Sequence, residues 1–173
     1  MELTDPLFSR KNGRYAAFIS YSHADAAWAQ RIHRQLEAYR MPRDITKNRA
    51  RLGRIFLDRS ELSSSSSLSE AIQHALDDAD ALILICSPRS AASKWVNEEV
   101  RRFRANGLSA RIFCLIVDGD PAGLTAPSPF PAALLETLPG ESAPEPLAAD
   151  VRPGHDRPRD ALLKLVAGIA AVP

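Results

Sequence analysis

The chain has 173 residues, a formal net charge of +1 and 45% hydrophobic residues. These values fit one globular domain with a buried core and exclude disorder throughout the chain. The balanced charge argues against a dedicated nucleic-acid binder, and no apolar run approaches the roughly 18 residues that a membrane-spanning helix needs. Residues 1–12 lack the apolar stretch of a signal peptide, and Cys86 and Cys114 lie within apolar runs. A cytoplasmic chain with reduced core cysteines is the simplest interpretation.

The first half of the chain predicts two strands and two helices after a flexible lead-in over residues 1–13. Tyr15–Tyr21 is typical of a buried strand, and Ser22 with Asp25 resembles a capping box at the start of a helix. The apolar stripe of that helix is Trp28, Ile32, Leu36 and Tyr39. A second strand is predicted over Arg54–Leu57. The next helix is predicted to be capped by Ser67 with Glu70, and its stripe is Leu68, Ile72, Ala75 and Ala79.

The second half continues the alternation. Ala81–Cys86 predicts a third strand, and Ser93 is placed to cap a helix. The stripe of that helix is Val96, Val100 and Phe103. Further strands are predicted over Arg111–Val117 and Leu147–Val151, and a last helix over Arg159–Val172. Nine of the 13 prolines lie between Pro121 and Pro158, which indicates a Pro-rich surface insertion at about residues 120–146.

Continuous apolar strands, each followed by a helix, predict a parallel sheet covered on both faces. Ligand groups of such sheets collect at the carboxyl ends of the strands. The segments at these ends are Ser20–His23, Asp58–Ser67, Ser87–Ser93 and Asp118–Asp120. We therefore expect the functional site at this edge.

Several kinds of chemistry lack their sequence signals. The chain has no Gly-x-Gly-x-x-Gly motif, no P-loop lysine motif and no nucleophile elbow, and its four histidines do not have metal-ligand spacing. A phosphoacceptor receiver domain has a similar order of elements. Such a domain would need an acidic cluster after the first strand, where this chain has Ser20–His23, and Asp58 would be its phosphoacceptor.

Four motifs, in the correct order, resemble those of TIR domains, the Toll/interleukin-1 receptor modules, and most closely the bacterial ones. They cover roughly residues 14–119: YAAFISYS at Tyr15–Ser22, Phe56-Leu57-Asp58 with the polar loop after it, ADALILICSP at Ala79–Pro88, and SKWVNEE at Ser93–Glu99. The resemblance implies a single domain over residues 14–173. Its fold would be a flavodoxin-like three-layer α/β sandwich with a five-stranded parallel sheet flanked by helices.

The resemblance also implies an activity. Some TIR domains cleave NAD⁺ at the nicotinamide–ribose bond, and they use the glutamate of a W-x-x-x-E segment. That residue is Glu99 here, and Trp95 lies one helical turn before it on the same face. NAD⁺ would be the substrate, with no cofactor and no metal. One carboxylate can suffice for this reaction, because the nicotinamide is already cationic and leaves as a neutral base.

The remaining site residues follow from the resemblance alone. Trp95 and five further residues are expected to contact the substrate: Tyr21, Ser22, His23, Asp58 and Ser87. The loop after the second strand mediates TIR–TIR contacts in the family, so its residues Ser63, Ser64, Ser65 and Leu68 are expected to serve in assembly. The family commonly has a glycine in this loop, and the run Ser63–Ser67 replaces it here.

The sequence therefore leaves two alternative functions. One is an NAD⁺ glycohydrolase that acts as an effector in bacterial signalling or defence and needs assembly for activity. The other is a non-catalytic adaptor that acts only by TIR–TIR assembly. In either case the expected partners include other TIR domains but neither nucleic acid nor membrane, and bacterial TIR domains suggest fusion to a further module.

Overall fold

The computed structural model describes residues 15–45, 50–57, 69–142 and 145–171. Its five strands are β1 (Ala17–Ser20), β2 (Ile55–Leu57), β3 (Leu82–Cys86), β4 (Ile112–Ile116) and β5 (Leu147–Asp150). They form one sheet in the order β2-β1-β3-β4-β5, and every neighbouring pair is parallel. This is the flavodoxin-like strand order, so the predicted fold class is confirmed.

In the described ranges, six α-helices lie against the two faces of this sheet. They are α1 (Ala26–Ala38), α2 (Glu70–Asp77), α3 (Pro88–Ala92), α4 (Lys94–Ala105), α5 (Ala132–Leu135) and α6 (Pro158–Ala170). Alternate residues of β3 enter opposite cores: Ile83 packs with α1 and α6, whereas Leu82 and Leu84 pack with α2, α4 and α5. A helix–sheet–helix sandwich results. No helix in the described part of the chain is long and apolar enough to cross a membrane.

The helix starts differ from the predicted caps at two of three places. Ser93 caps α4 as predicted and accepts a hydrogen bond from the Val96 backbone N–H at 3.3 Å. The cap of α2 is Ser69, while the predicted cap, Ser67, lies outside the described residues. The predicted capping box at the first helix is wrong, because a 3₁₀ turn over His23–Asp25 precedes α1 and no side chain caps either start.

Part of the Pro-rich segment belongs to the core. Ala133 and Leu134 of α5 are buried in the same cluster as Val96 and Phe103 of α4. The whole segment was predicted to lie on the surface, and for Ala133 and Leu134 that prediction is wrong. The bounds of the insertion, at about residues 120–146, stay a prediction, and so does the single domain over residues 14–173. The predicted flexible lead-in lies outside the described residues.

Helix α6 approaches the sheet so closely at Gly168 that no side chain fits. A Cβ atom there would lie 2.7, 2.8 and 3.0 Å from three ring carbons of Phe113. Glycine to alanine within a helix ordinarily gains about 1 kcal/mol, but overpacking a core costs about 1–3 kcal/mol. We expect Gly168→Ala to lower the free energy of unfolding by about 1 kcal/mol, measured by urea denaturation. The same substitution in a Phe113→Leu background should be less harmful, and a stabilised single variant would contradict this close packing.

Candidate active site

Glu99 lies at the carboxyl edge of the sheet, as the sequence predicted. It is on the first half of α4 and only 4% exposed. Ser20, the buried last residue of β1, donates a hydrogen bond from its hydroxyl to Glu99 Oε2. The helix therefore holds the carboxylate against the end of a central strand, in surroundings that are largely dry.

The sequence of α4 explains this position. Val96, Val100 and Phe103 recur on the face that packs on the sheet, and Glu99 lies beside Val100 on that buried side. Trp95, one turn earlier, is half-buried, and the Lys94 ammonium lies 5.6 Å from the centre of its ring. The predicted placement of both residues on α4 is confirmed, whereas their roles toward a substrate stay predictions.

The loop after β1 reaches the same edge. Tyr21 is half-buried and packs against the core beneath α1 and α6, Ser22 is buried, and His23 is exposed. The Ser22 carbonyl accepts a hydrogen bond from the Asp25 N–H at 2.8 Å, which closes the 3₁₀ turn. These three predicted residues directly follow Ser20 in the chain, and only His23 of the three lies open to solvent.

Ser87, the predicted contact at the end of β3, is fully buried. Its hydroxyl donates to Asp25 Oδ2 at 2.5 Å and accepts from the Ser90 N–H at 3.1 Å. The Ser90 hydroxyl oxygen in turn accepts a hydrogen bond from the Ser87 N–H, which completes a capping box at α3. The single hydroxyl hydrogen of Ser87 is thus donated to Asp25, and the contact of Ser87 with a substrate stays a prediction.

Sequence reasoning missed the acidic partner of Ser87. Asp25 is 3% exposed, and its Oδ1 accepts from Arg89 Nη2 at 2.8 Å and Nε at 3.3 Å. Arg89 also donates from Nη1 to Asp118 Oδ2, beyond the end of β4, at 2.9 Å. These bonds to Asp25 and then Asp118 raise the pKa of the Arg89 guanidinium, and Arg89 in turn lowers the pKa of Asp118. The available signal was an Arg three residues after the third strand, at the predicted ligand edge.

The start of the Pro-rich segment is tied to this edge. Gly119 has a φ of +92°, and a Cβ atom there would lie 2.8 Å from the Pro127 carbonyl oxygen and 3.1 Å from the Pro88 ring. Arg152, which follows β5, donates to the Gly119 carbonyl at 2.8 Å. Hydrogen bonds from the backbone N–H groups of the following turn, that of Thr125 above all, lower the pKa of Asp120 to about 2.

Five predicted residues lie outside the described part of the chain: Asp58, Ser63, Ser64, Ser65 and Leu68. Their roles stay predictions. Among the described residues, no group of three or more His, Cys, Asp or Glu side chains is placed to hold a metal ion. A cavity of about 200 Å³ beside Arg104, Ile112 and Glu141 lies where β4 and β5 begin, at the opposite end of the sheet from Glu99.

The protein is thus of the doubly wound α/β class, and a buried glutamate lies at the carboxyl edge of its parallel sheet. A family model described as TIR domain matches residues 17–136. The chain belongs to the TIR domain family.

Individual proteins also resemble the chain. It is 34% identical over 174 residues to "NAD(+) hydrolase ApTIR" of an Actinoplanes species, an alignment that covers 90% of this chain and 23% of that protein. The chain thus spans about a quarter of the length of this relative. A solved structure, "Structure of the activated Roq1 resistosome directly recognizing the pathogen effector XopQ (TIR domains)", is 20% identical. It matches with a TM-score of 0.48 over 64% of this chain and 61% of its own.

Proposed function

We propose that this TIR domain is an NAD⁺ glycohydrolase of the bacterial cytoplasm, an effector in signalling or defence. It cleaves the nicotinamide–ribose bond and releases nicotinamide with ADP-ribose or a cyclic variant. The observation that carries the proposal is the Glu99 carboxylate, which α4 and Ser20 hold at the ligand-binding edge. The likeness to a relative whose name is NAD(+) hydrolase supports it.

The reaction can proceed with a single negatively charged side chain of the protein. When the bond breaks, its electron pair goes to the ring nitrogen, and the cationic nicotinamide becomes a neutral leaving group that needs no general acid. Positive charge develops on the ribose, and Glu99 binds the ribose hydroxyls and stabilises that charge. Water then adds to the ribose and releases its proton, which gives ADP-ribose; attack by the adenine base gives the cyclic product instead.

The burial of Glu99 limits the access of a substrate to its carboxylate. With 4% of its surface exposed, the residue can meet a ribose only after neighbouring groups move. We propose that association with other TIR domains, through the loop that contains Ser63–Ser65 and Leu68, produces that movement. Trp95, Tyr21, Ser22, His23 and Asp58 are the proposed substrate contacts, and the chain acts as one module of a longer protein.

The test is nicotinamide release from NAD⁺ by the purified chain, followed by chromatography over a wide range of protein concentration. We expect a rate per molecule that rises with concentration, because assembly makes Glu99 accessible. The same chromatograms distinguish ADP-ribose from a cyclic product. Self-association without any nicotinamide release at any concentration would contradict the proposal and indicate the non-catalytic adaptor.

A further inference from the structure

Asp25 is a buried acidic residue that the proposed chemistry does not use. It occupies the position before α1 where an aspartate would ordinarily cap the helix, but its side chain makes no cap hydrogen bond. Both carboxylate oxygens instead accept from side chains of other segments, Ser87 on Oδ2 and Arg89 on Oδ1. A charge taken out of water in this way is costly unless it is paired and hydrogen-bonded, so its partners are essential to the arrangement.

These partners connect three neighbouring strands of the sheet. Asp25 closes the turn after β1, Ser87 directly follows β3, and Arg89 continues to Asp118 beyond β4. The strands lie side by side in the order β1-β3-β4. One carboxylate therefore fixes the spacing between the loops at the edge where the proposed reaction occurs.

The same loop is attached to Glu99 at its other end. Ser20 donates to Glu99, and Asp25 lies five residues further along the chain. Tyr21, Ser22 and His23, which we propose as substrate contacts, span the interval between these two attachments. The position of this segment relative to the Glu99 carboxylate thus depends on both ends being held.

We infer that Asp25 is a positioning residue, which holds the loop over residues 21–24 in register with Glu99 through its bonds to Ser87 and Arg89. The inference rests on the proposed cleavage of NAD⁺. Displacements of about 1 Å at groups that orient a substrate can cost 100-fold in rate, although such groups never touch the reacting atoms. Arg89 is the partner that can be altered with least disturbance, because 45% of its side chain is exposed.

The experiment compares Asp25→Asn and Arg89→Gln with Arg102→Gln. Asparagine keeps the volume of Asp25 and an oxygen for Ser87 but removes the charge that Arg89 binds. Arg102 makes a similar two-bond ion pair with Asp77, at 2.9 and 2.6 Å, where α2 ends before β3 begins. Its loss therefore removes an ion pair of the same kind at the other end of the sheet.

Two quantities are measured for each variant. The first is kcat and KM for nicotinamide release per folded molecule. We expect kcat to fall at least tenfold in Asp25→Asn and Arg89→Gln, with KM changed less than threefold, and to stay within twofold in Arg102→Gln. The double variant Asp25→Asn/Arg89→Gln should lose little more than either single variant, because both remove the same interaction.

The second quantity is amide hydrogen exchange over residues 18–27, which needs no activity. Exchange should accelerate at least tenfold in both site variants and remain unchanged in Arg102→Gln. Unchanged exchange, or unchanged kcat per folded molecule, would overturn the inference. If the wild type releases no nicotinamide, the proposed function fails, and exchange still decides whether Asp25 holds the loop. Arg89→Gln serves alone if Asp25→Asn does not fold.

Discussion

Glu99→Gln is expected to slow nicotinamide release at least about 100-fold while the protein stays folded. Removing one group that stabilises developing charge in a water-poor site typically costs 100- to 1,000-fold in kcat. Glutamine has the same size, and its amide oxygen can still accept the hydrogen bond from Ser20. The loss would therefore come from the charge alone. The measurement is kcat on NAD⁺ together with the thermal unfolding midpoint.

The neighbouring residue provides a matched control. Glu98 lies on the same helix, is half-buried and has its carboxylate 3.8 Å from the Lys94 ammonium. Because Lys94 is exposed and its nitrogen lies near the limit of an ion pair, this pair contributes little to stability, so Glu98→Gln should leave kcat within twofold and unfolding unchanged. A Glu99→Gln variant that keeps more than a tenth of the wild-type rate would show that another group carries the reaction.

The positions of the strands along the chain follow from simple sequence features. Each of the runs Leu82–Cys86 and Ile112–Ile116 is apolar throughout, and every residue in them is buried, as a strand covered on both faces requires. The position of Glu99 was also predictable, because a helical spacing of four from Trp95 places it next to the stripe that packs on the sheet. Its choice as the candidate catalytic residue came from the resemblance to TIR domains and not from periodicity.

Asp25 could not be assigned in this way. An acidic residue three positions after Ser22 fits a helix cap, and the same residue fits a buried ion pair if a distant arginine reaches it. Arg89 is 64 residues away in sequence, so only the tertiary fold decides between the two. Ser87 shows the converse: the resemblance suggested a contact with substrate, but its hydroxyl is already committed to Asp25 and to the start of α3.

The packing of the Pro-rich segment could not be predicted from the sequence for a different reason. A helix of four residues, as α5 is, contains too little periodicity to reveal a buried face. Arg104, a buried cation on α4, is one of the side chains that hold it in place. Arg104 donates to the Ala133 and Glu136 carbonyls, both at 2.6 Å, and to Glu141 Oε2 at 3.1 Å. Two backbone carbonyls of the segment thus obtain their hydrogen-bond donor from a side chain outside it.

Arg104→Met is expected to lower the free energy of unfolding by about 3 kcal/mol. Each hydrogen bond from a charged donor contributes about 1.5–3 kcal/mol. The Ala133 carbonyl would lose its donor in a buried place, and the Glu136 carbonyl would lose its donor in a partly buried one. Methionine has a similar length and adapts to irregular cavities, so the loss reflects hydrogen bonding more than an empty volume. Urea denaturation gives the change in free energy, and limited proteolysis between residues 136 and 142 reports on the segment itself.

Arg101→Met is the comparison that separates this explanation from a general effect of removing charge. Arg101 lies three residues earlier on α4 and also binds the segment, through Glu136 Oε1 at 2.7 Å. Its side chain is 51% exposed, whereas that of Arg104 is 3% exposed. Water replaces an exposed partner, so this variant should lose less than about 1 kcal/mol. Equal losses in the two variants would mean that the ion pairs, rather than the buried carbonyl contacts, hold the Pro-rich segment to the sheet.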